Sequence, residues 1–120
     1  MKFKESKSIY LQIADRICDE ILQGQYKEEE RIPSVREYAA TVEVNANTVV
    51  RSFDYLQGQD IIYNKRGLGY FVAQEGRERI LGLRKEVFLK EELPEFFRQL
   101  KTLDISMKDV EKLYNDYLKE

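Results

Sequence analysis

Histidine is absent from the 120 residues and cysteine occurs once, at Cys18. Nucleophile–histidine catalysis is therefore excluded, and a metal site built on nitrogen and sulfur has almost no ligands to draw on. A single thiol cannot form an intramolecular disulfide. With no export signal, the cysteine count points to a reducing cytoplasm. No apolar run is longer than Tyr70-Phe71-Val72-Ala73, too short for a membrane span or the apolar region of a signal peptide. No catalytic motif is present, so an enzyme working on carboxylates alone is the remotest reading, and no cofactor or metal is expected.

An excess of positive charge is missing too: 20 Lys and Arg face 22 Asp and Glu, for a net charge of −2. For a partner with a charged backbone, however, the local field at the contacting face matters more than the total. Residues 44–52 hold one cation, Arg51, and no anion; residues 61–73 hold Lys65 and Arg66, again with no anion. Hydrophobic residues make up 42% of the chain, enough to bury a core.

The most informative stretch is residues 33–51. Ser34 with Glu37 three places on is a capping box, and Pro33 discourages any upstream helix from continuing. Thr41-Val42-Glu43 is the expected turn, and Asn45 can cap a second helix running from about 46 to 57, stopped by Gly58. That helix is expected to bury Val49, Val50, Phe53 and Leu56, leaving Asn47, Thr48 and Arg51 outward. Two helices joined by so short a turn predict a helix-turn-helix, whose second helix enters a DNA major groove. Upstream, Ser8 is placed to cap a helix over about 9–23, ended by Gly24, with Ile13, Ile17, Cys18 and Ile21 on its apolar stripe. Residues 25–30 read as a surface loop.

Downstream, Ile61-Ile62-Tyr63 and Tyr70-Phe71-Val72 are β-prone runs joined by Asn64-Lys65-Arg66-Gly67-Leu68-Gly69, which predicts a hairpin with a cationic, glycine-bearing tip. Directly after a recognition helix, such a hairpin is a wing able to reach phosphates or the adjacent minor groove. From Gln74 the pattern is helical. Pro94 must kink or restart a helix near Glu92, and Ser106 with Asp109 opens a last one. Leu83, Val87, Phe88, Phe96, Phe97, Leu100, Leu113 and Tyr117 need a partner surface, and the most economical is the same tail of a second copy.

Four ordered motifs then carry a family resemblance: Ile9-Tyr10-Leu11-Gln12-Ile13, Arg31-Ile32-Pro33-Ser34-Val35-Arg36-Glu37, Asn45-x-Asn47-Thr48-Val49-x-Arg51 and Arg66-Gly67-x-Gly69-x-Phe71-Val72. Residues 8–73 resemble the winged helix-turn-helix domain of GntR-type bacterial transcription regulators, and the tail resembles the YtrA subfamily, in which two short C-terminal helices form the dimer in place of a metabolite-binding domain. The resemblance implies that Arg36 contacts the operator, that Thr48 and Arg51 reach phosphate and base, and that Gly69 meets the minor groove. Tyr70 departs from the threonine usual in the wing, and Ile32 from the usual leucine.

The expected fold is mainly α with a small β-hairpin wing: a winged helix-turn-helix domain over residues 1–73 and a helical dimerisation tail over 74–120. The expected DNA-binding residues are Ser34, Arg36, Asn45, Asn47, Thr48, Arg51, Lys65, Arg66, Gly67 and Gly69. The expected partners are a double-stranded, pseudo-palindromic operator and a second copy of the chain, with repression as the default outcome and no membrane involvement. The competing reading is a winged-helix protein-interaction module.

Overall fold

The computed structural model describes residues 7–120. Helices α1 (Ile9–Leu22), α2 (Val35–Val42) and α3 (Ala46–Gly58) are followed by strands β1 (Ile62–Lys65) and β2 (Gly69–Val72), then helix α4 (Gly76–Val87). A π-helical turn over Phe88–Glu92 leads to α5 (Leu93–Thr102) and α6 (Met107–Leu118). By contact density the chain divides into two compact units, Met1–Gly82 and Leu83–Glu120, nine residues beyond the boundary expected after residue 73.

In the first unit, Ile13, Ala14, Ile17 and Ile21 of α1, Tyr38 and Val42 of α2, and Val49, Phe53 and Leu56 of α3 are buried together with Ile32, Ile61, Ile62, Val72 and Ile80. Burial of this many branched and aromatic side chains supplies the main driving force, at about 1.5–3 kcal/mol for each large one. Ring packing continues through the core, with Phe53 edge-on to both Tyr38 (6.4 Å) and Tyr70 (4.9 Å). The Tyr38 hydroxyl donates to Glu20 at 3.0 Å, and burial with that nearby carboxylate pushes the phenol well above its ordinary pKa.

Several local expectations shift. Ser8 sits at the N-cap of α1 but its side chain makes no capping bond. The α2–α3 turn begins two residues later than expected: Thr41 and Val42 are still helical, and Glu43 makes the turn in a left-handed conformation at φ 56°. Helix α3 ends at Gly58, which is its last helical residue rather than the first beyond it, and the left-handed turn follows at Asp60, at φ 61°. On α3 it is Ser52, not Val50, that turns inward. The Ser52 hydroxyl donates to the Tyr10 carbonyl at 2.7 Å, whereas Val50 is 39% exposed.

Strands β1 and β2 are antiparallel, with Ile62 opposite Val72 and Lys65 opposite Gly69, so the loop is residues 66–68. The expected loop over 25–30 is more ordered at its end. Glu29 N–H donates to the Val72 carbonyl, Val72 N–H to the Glu30 carbonyl and Ile32 N–H to the Tyr70 carbonyl, and Arg31 bridges to Phe71. Residues 30–32 thus run alongside β2 through an isolated bridge, at the edge of the two-stranded sheet. The first turns of α4 complete the unit: Ile80 is buried, and Gly76 lies so near the Ile61 carbonyl that a Cβ would come within 2.7 Å of it. Arg77 donates to the Leu22 carbonyl at the end of α1.

In the second unit the π turn precedes Pro94, which occupies the first turn of α5, where a missing N–H costs little. Ser106 caps α6 by accepting the Asp109 N–H at 3.1 Å. Val87, Phe88, Phe96, Phe97, Leu113 and Tyr117 are exposed. Leu100 corrects the expected set: it is only 8% exposed within a single chain and so is not on the open apolar surface. No helix among the described residues is long and apolar enough to cross a membrane.

Candidate nucleic-acid interface

Three elements of the first unit carry the candidate site. The first is the N-terminus of α2, where both halves of the capping box form: Ser34 Oγ accepts the Glu37 N–H (3.1 Å) and Glu37 Oε1 accepts the Ser34 N–H (3.0 Å). The Ser34 N–H foremost, and then the Ser34 hydroxyl, hold the Glu37 carboxyl below its ordinary pKa of 4.5, with the Arg31 charge adding in the same direction and desolvation opposing. The box fixes the helix start and leaves Arg36, one residue before Glu37, exposed. Of the expected residues here, Ser34 is thus a cap whose hydroxyl oxygen is occupied, and Arg36 is an open cation.

The second element is α3. Asn45 Oδ1 accepts the Asn47 N–H at 2.8 Å, so the amide oxygen of this side chain is engaged in the cap. With Val49, Ser52, Phe53 and Leu56 buried, helical periodicity turns Asn47, Val50, Arg51 and Asp54 outward, and all four are exposed; Thr48 is half-buried at the edge of that face. Arg51 lies with its guanidinium 4.2 Å from the centroid of the Tyr10 ring, and Tyr10 is itself edge-on to Tyr55 at 6.5 Å. A face-stacked guanidinium keeps its in-plane N–H groups free, so Tyr10 pre-orients Arg51 without consuming its donors. Val50 was misassigned from sequence because Val49 and Val50 are alike in type. The spacing Val49-Phe53-Leu56 distinguishes them, and puts a branched apolar group on the outward face.

The third element is the hairpin. Gly67 (φ 78°) and Gly69 (φ 114°) take conformations that side chains avoid, and Arg66 is exposed between strands. Lys65 ends β1 rather than sitting at the tip. Its ammonium lies 4.9 Å from the Phe71 ring centroid and 5.9 Å from that of Tyr63, rings that stack on each other at 5.8 Å. The substituted position, Tyr70, points to the other side, with its ring on buried Phe53. The expected residues therefore fall on three neighbouring elements of one compact unit. Among the described residues no cluster of His, Cys, Asp or Glu could hold a metal ion.

Sequence reasoning used Arg31 only as part of a motif. In the structure its side chain joins two of the three elements: Nη2 is 3.9 Å from Glu37 Oε1 on α2, and Nε is 2.9 Å from where a Cβ on Gly69 would stand.

Residues 9–72 match the model of the bacterial regulatory proteins of the gntR family. The uncharacterized HTH-type transcriptional regulator YhcF of Bacillus subtilis is 33% identical over 109 residues, covering 91% of this chain and 88% of its own. The HTH-type transcriptional repressor YtrA of the same organism is 31% identical over 90 residues, covering 75% of this chain and 68% of its own. Among solved structures, a GntR-family transcriptional regulator from Bacteroides thetaiotaomicron superposes with a TM-score of 0.83 at 63% identity, covering 93% of this chain and 97% of its own. The DNA-binding domain of AraR in complex with operator ORR3 matches 61% of this chain and 92% of its own, with a TM-score of 0.52 and 26% identity.

Proposed function

Because this chain belongs to the gntR family of bacterial regulatory proteins, we propose that it is a repressor of the YtrA type that binds a pseudo-palindromic operator as a homodimer. The observation that carries the DNA part is the outward face of α3, where Asn47, Val50 and the Tyr10-stacked Arg51 stand on a helix capped and oriented by the turn after α2. A dimer places two such helices in successive major grooves, with half-sites about one helical turn or a multiple apart. Arg36 and the wing cations Lys65 and Arg66 contact phosphates and set the register, while Asn47, Thr48 and Arg51 read base edges.

The dimer part rests on the second unit, whose Phe88, Phe96, Phe97, Leu113 and Tyr117 are exposed in a single chain, and on the similarity to a protein described as the repressor YtrA. Occupancy of a promoter then blocks polymerase, in the cytoplasm where the DNA is. The test is selection of duplexes from a random library, followed by salt-controlled fluorescence anisotropy. Recovery of a sequence with two-fold symmetry, bound at two chains per duplex, is the expected result. Failure to bind any duplex at low salt overturns it and favours a protein-interaction module.

A further inference from the structure

We infer that Arg31 is a phosphate-binding residue of the DNA interface, seated between α2 and the wing; this rests on the DNA-binding reading above. Residues 30–32 pair antiparallel with β2 through one bridge, in which Arg31 lies opposite Phe71. Directly opposed residues of an antiparallel pair project to the same face. Tyr63 is likewise opposite Phe71, and Lys65 is opposite Gly69. One outer sheet face therefore carries Arg31, Phe71, Tyr63, Lys65 and the bare backbone of Gly69. The Tyr63 hydroxyl on that face donates to Glu29 at 2.7 Å.

At the wing end of this face the two cations flank a glycine. Arg31 Nε stands 2.9 Å from the absent Cβ of Gly69, and the Lys65 side chain rises from the opposite strand over Phe71. Any side chain at position 69 would enter the space the guanidinium uses. The juxtaposition of a planar guanidinium, an ammonium and an uncovered backbone suits a tetrahedral phosphodiester, whose single negative charge is shared by two oxygens.

Stability does not account for Arg31. Its side chain is 54% exposed, and its carboxylate partner Glu37 lies at 3.9 Å, beyond a good hydrogen bond, while already committed to the Ser34 N–H. An exposed pair of that geometry contributes little. Most of the five guanidinium N–H donors are left for a ligand, and the side chain sits between two elements, the start of α2 and the wing, that each bear an open arginine (Arg36 and Arg66).

The experiment compares wild type, Arg31→Gln and Arg31→Lys by fluorescence anisotropy on a random-sequence 30-bp duplex and on the library-selected duplex, as a function of salt. Each phosphate contact contributes about 0.9 to the slope of log K against log salt, so Arg31→Gln is expected to be shallower by about 1.8 for a dimer on both duplexes. Arg31→Lys, which keeps the charge, is expected to restore the slope, and both variants should melt like wild type. An unchanged slope in Arg31→Gln, or a loss that Arg31→Lys does not restore, overturns the assignment while DNA binding itself stands. Wild type that binds neither duplex overturns both.

Discussion

Arg51 is a single side chain whose position is set by folding alone. Its stem leaves α3 toward solvent, and the Tyr10 ring of α1 holds the guanidinium at 4.2 Å, so part of its rotamer entropy is spent in folding. Arg51→Ala should therefore weaken operator binding by about 1–3 kcal/mol with little change in melting temperature. Tyr10→Leu should give a smaller loss in the same anisotropy assay, because it removes the shelf and leaves the charge. Equal losses in the two variants would mean that the charge is not what the DNA reads. Glu37 makes a different prediction. Its folded pKa is depressed below 4.5, chiefly by the Ser34 N–H, so the stabilisation is present above the unfolded pKa and is lost as pH falls through the folded one. Glu37→Gln keeps a neutral box, so thermal melts should show wild type ahead at neutral pH and the gap closing below about pH 4.5.

At the scale of elements, the parts legible in the sequence were those whose physics is local. The Ser34–Glu37 box needs only residues three apart, and it forms as expected. Ser8 carries the same residue type, yet its side chain makes no capping bond, since nothing in a side-chain identity fixes the hydroxyl rotamer. The pairing of residues 30–32 with β2 was illegible for a clearer reason. Glu30 and Arg31 have low strand propensity, and only the open edge of β2 pairs them with a strand, so the signal is tertiary. Arg31 was hidden with it, because its nearness to Gly69 depends on that pairing. The wing yields an element-level test. Gly69 combines φ 114° with the Arg31 contact, whereas Gly67 at φ 78° has open space around it. Gly69→Ala should cost about 1–3 kcal/mol in urea unfolding and Gly67→Ala less, near 1 kcal/mol. A reversed order would show that the wing backbone is free to relax at residue 69.

For the whole molecule, the position of the unit boundary decides what a truncation means. Ending the chain at residue 75 would remove Ile80, a buried side chain contributing roughly 1.5–3 kcal/mol, and Gly76, which packs against the Ile61 carbonyl. Against a typical total stability of about 5–15 kcal/mol, that cut damages the DNA-binding unit itself. Ending the chain after Gly82 keeps both residues and removes only Leu83–Glu120, which holds the exposed Phe88, Phe96, Phe97, Leu113 and Tyr117. The chain ending at residue 75 should therefore reach a lower melting temperature, while the chain ending at Gly82 stays folded. Sedimentation should show full-length protein as a dimer and the chain ending at Gly82 as a monomer. Loss of the second DNA-binding unit removes the effective-concentration gain, so its affinity for a two-fold operator should fall by about 10²–10⁴. A chain ending at Gly82 that still sediments as a dimer would move the interface into the first unit. A full-length monomer with unchanged operator affinity would remove the homodimer from the mechanism altogether.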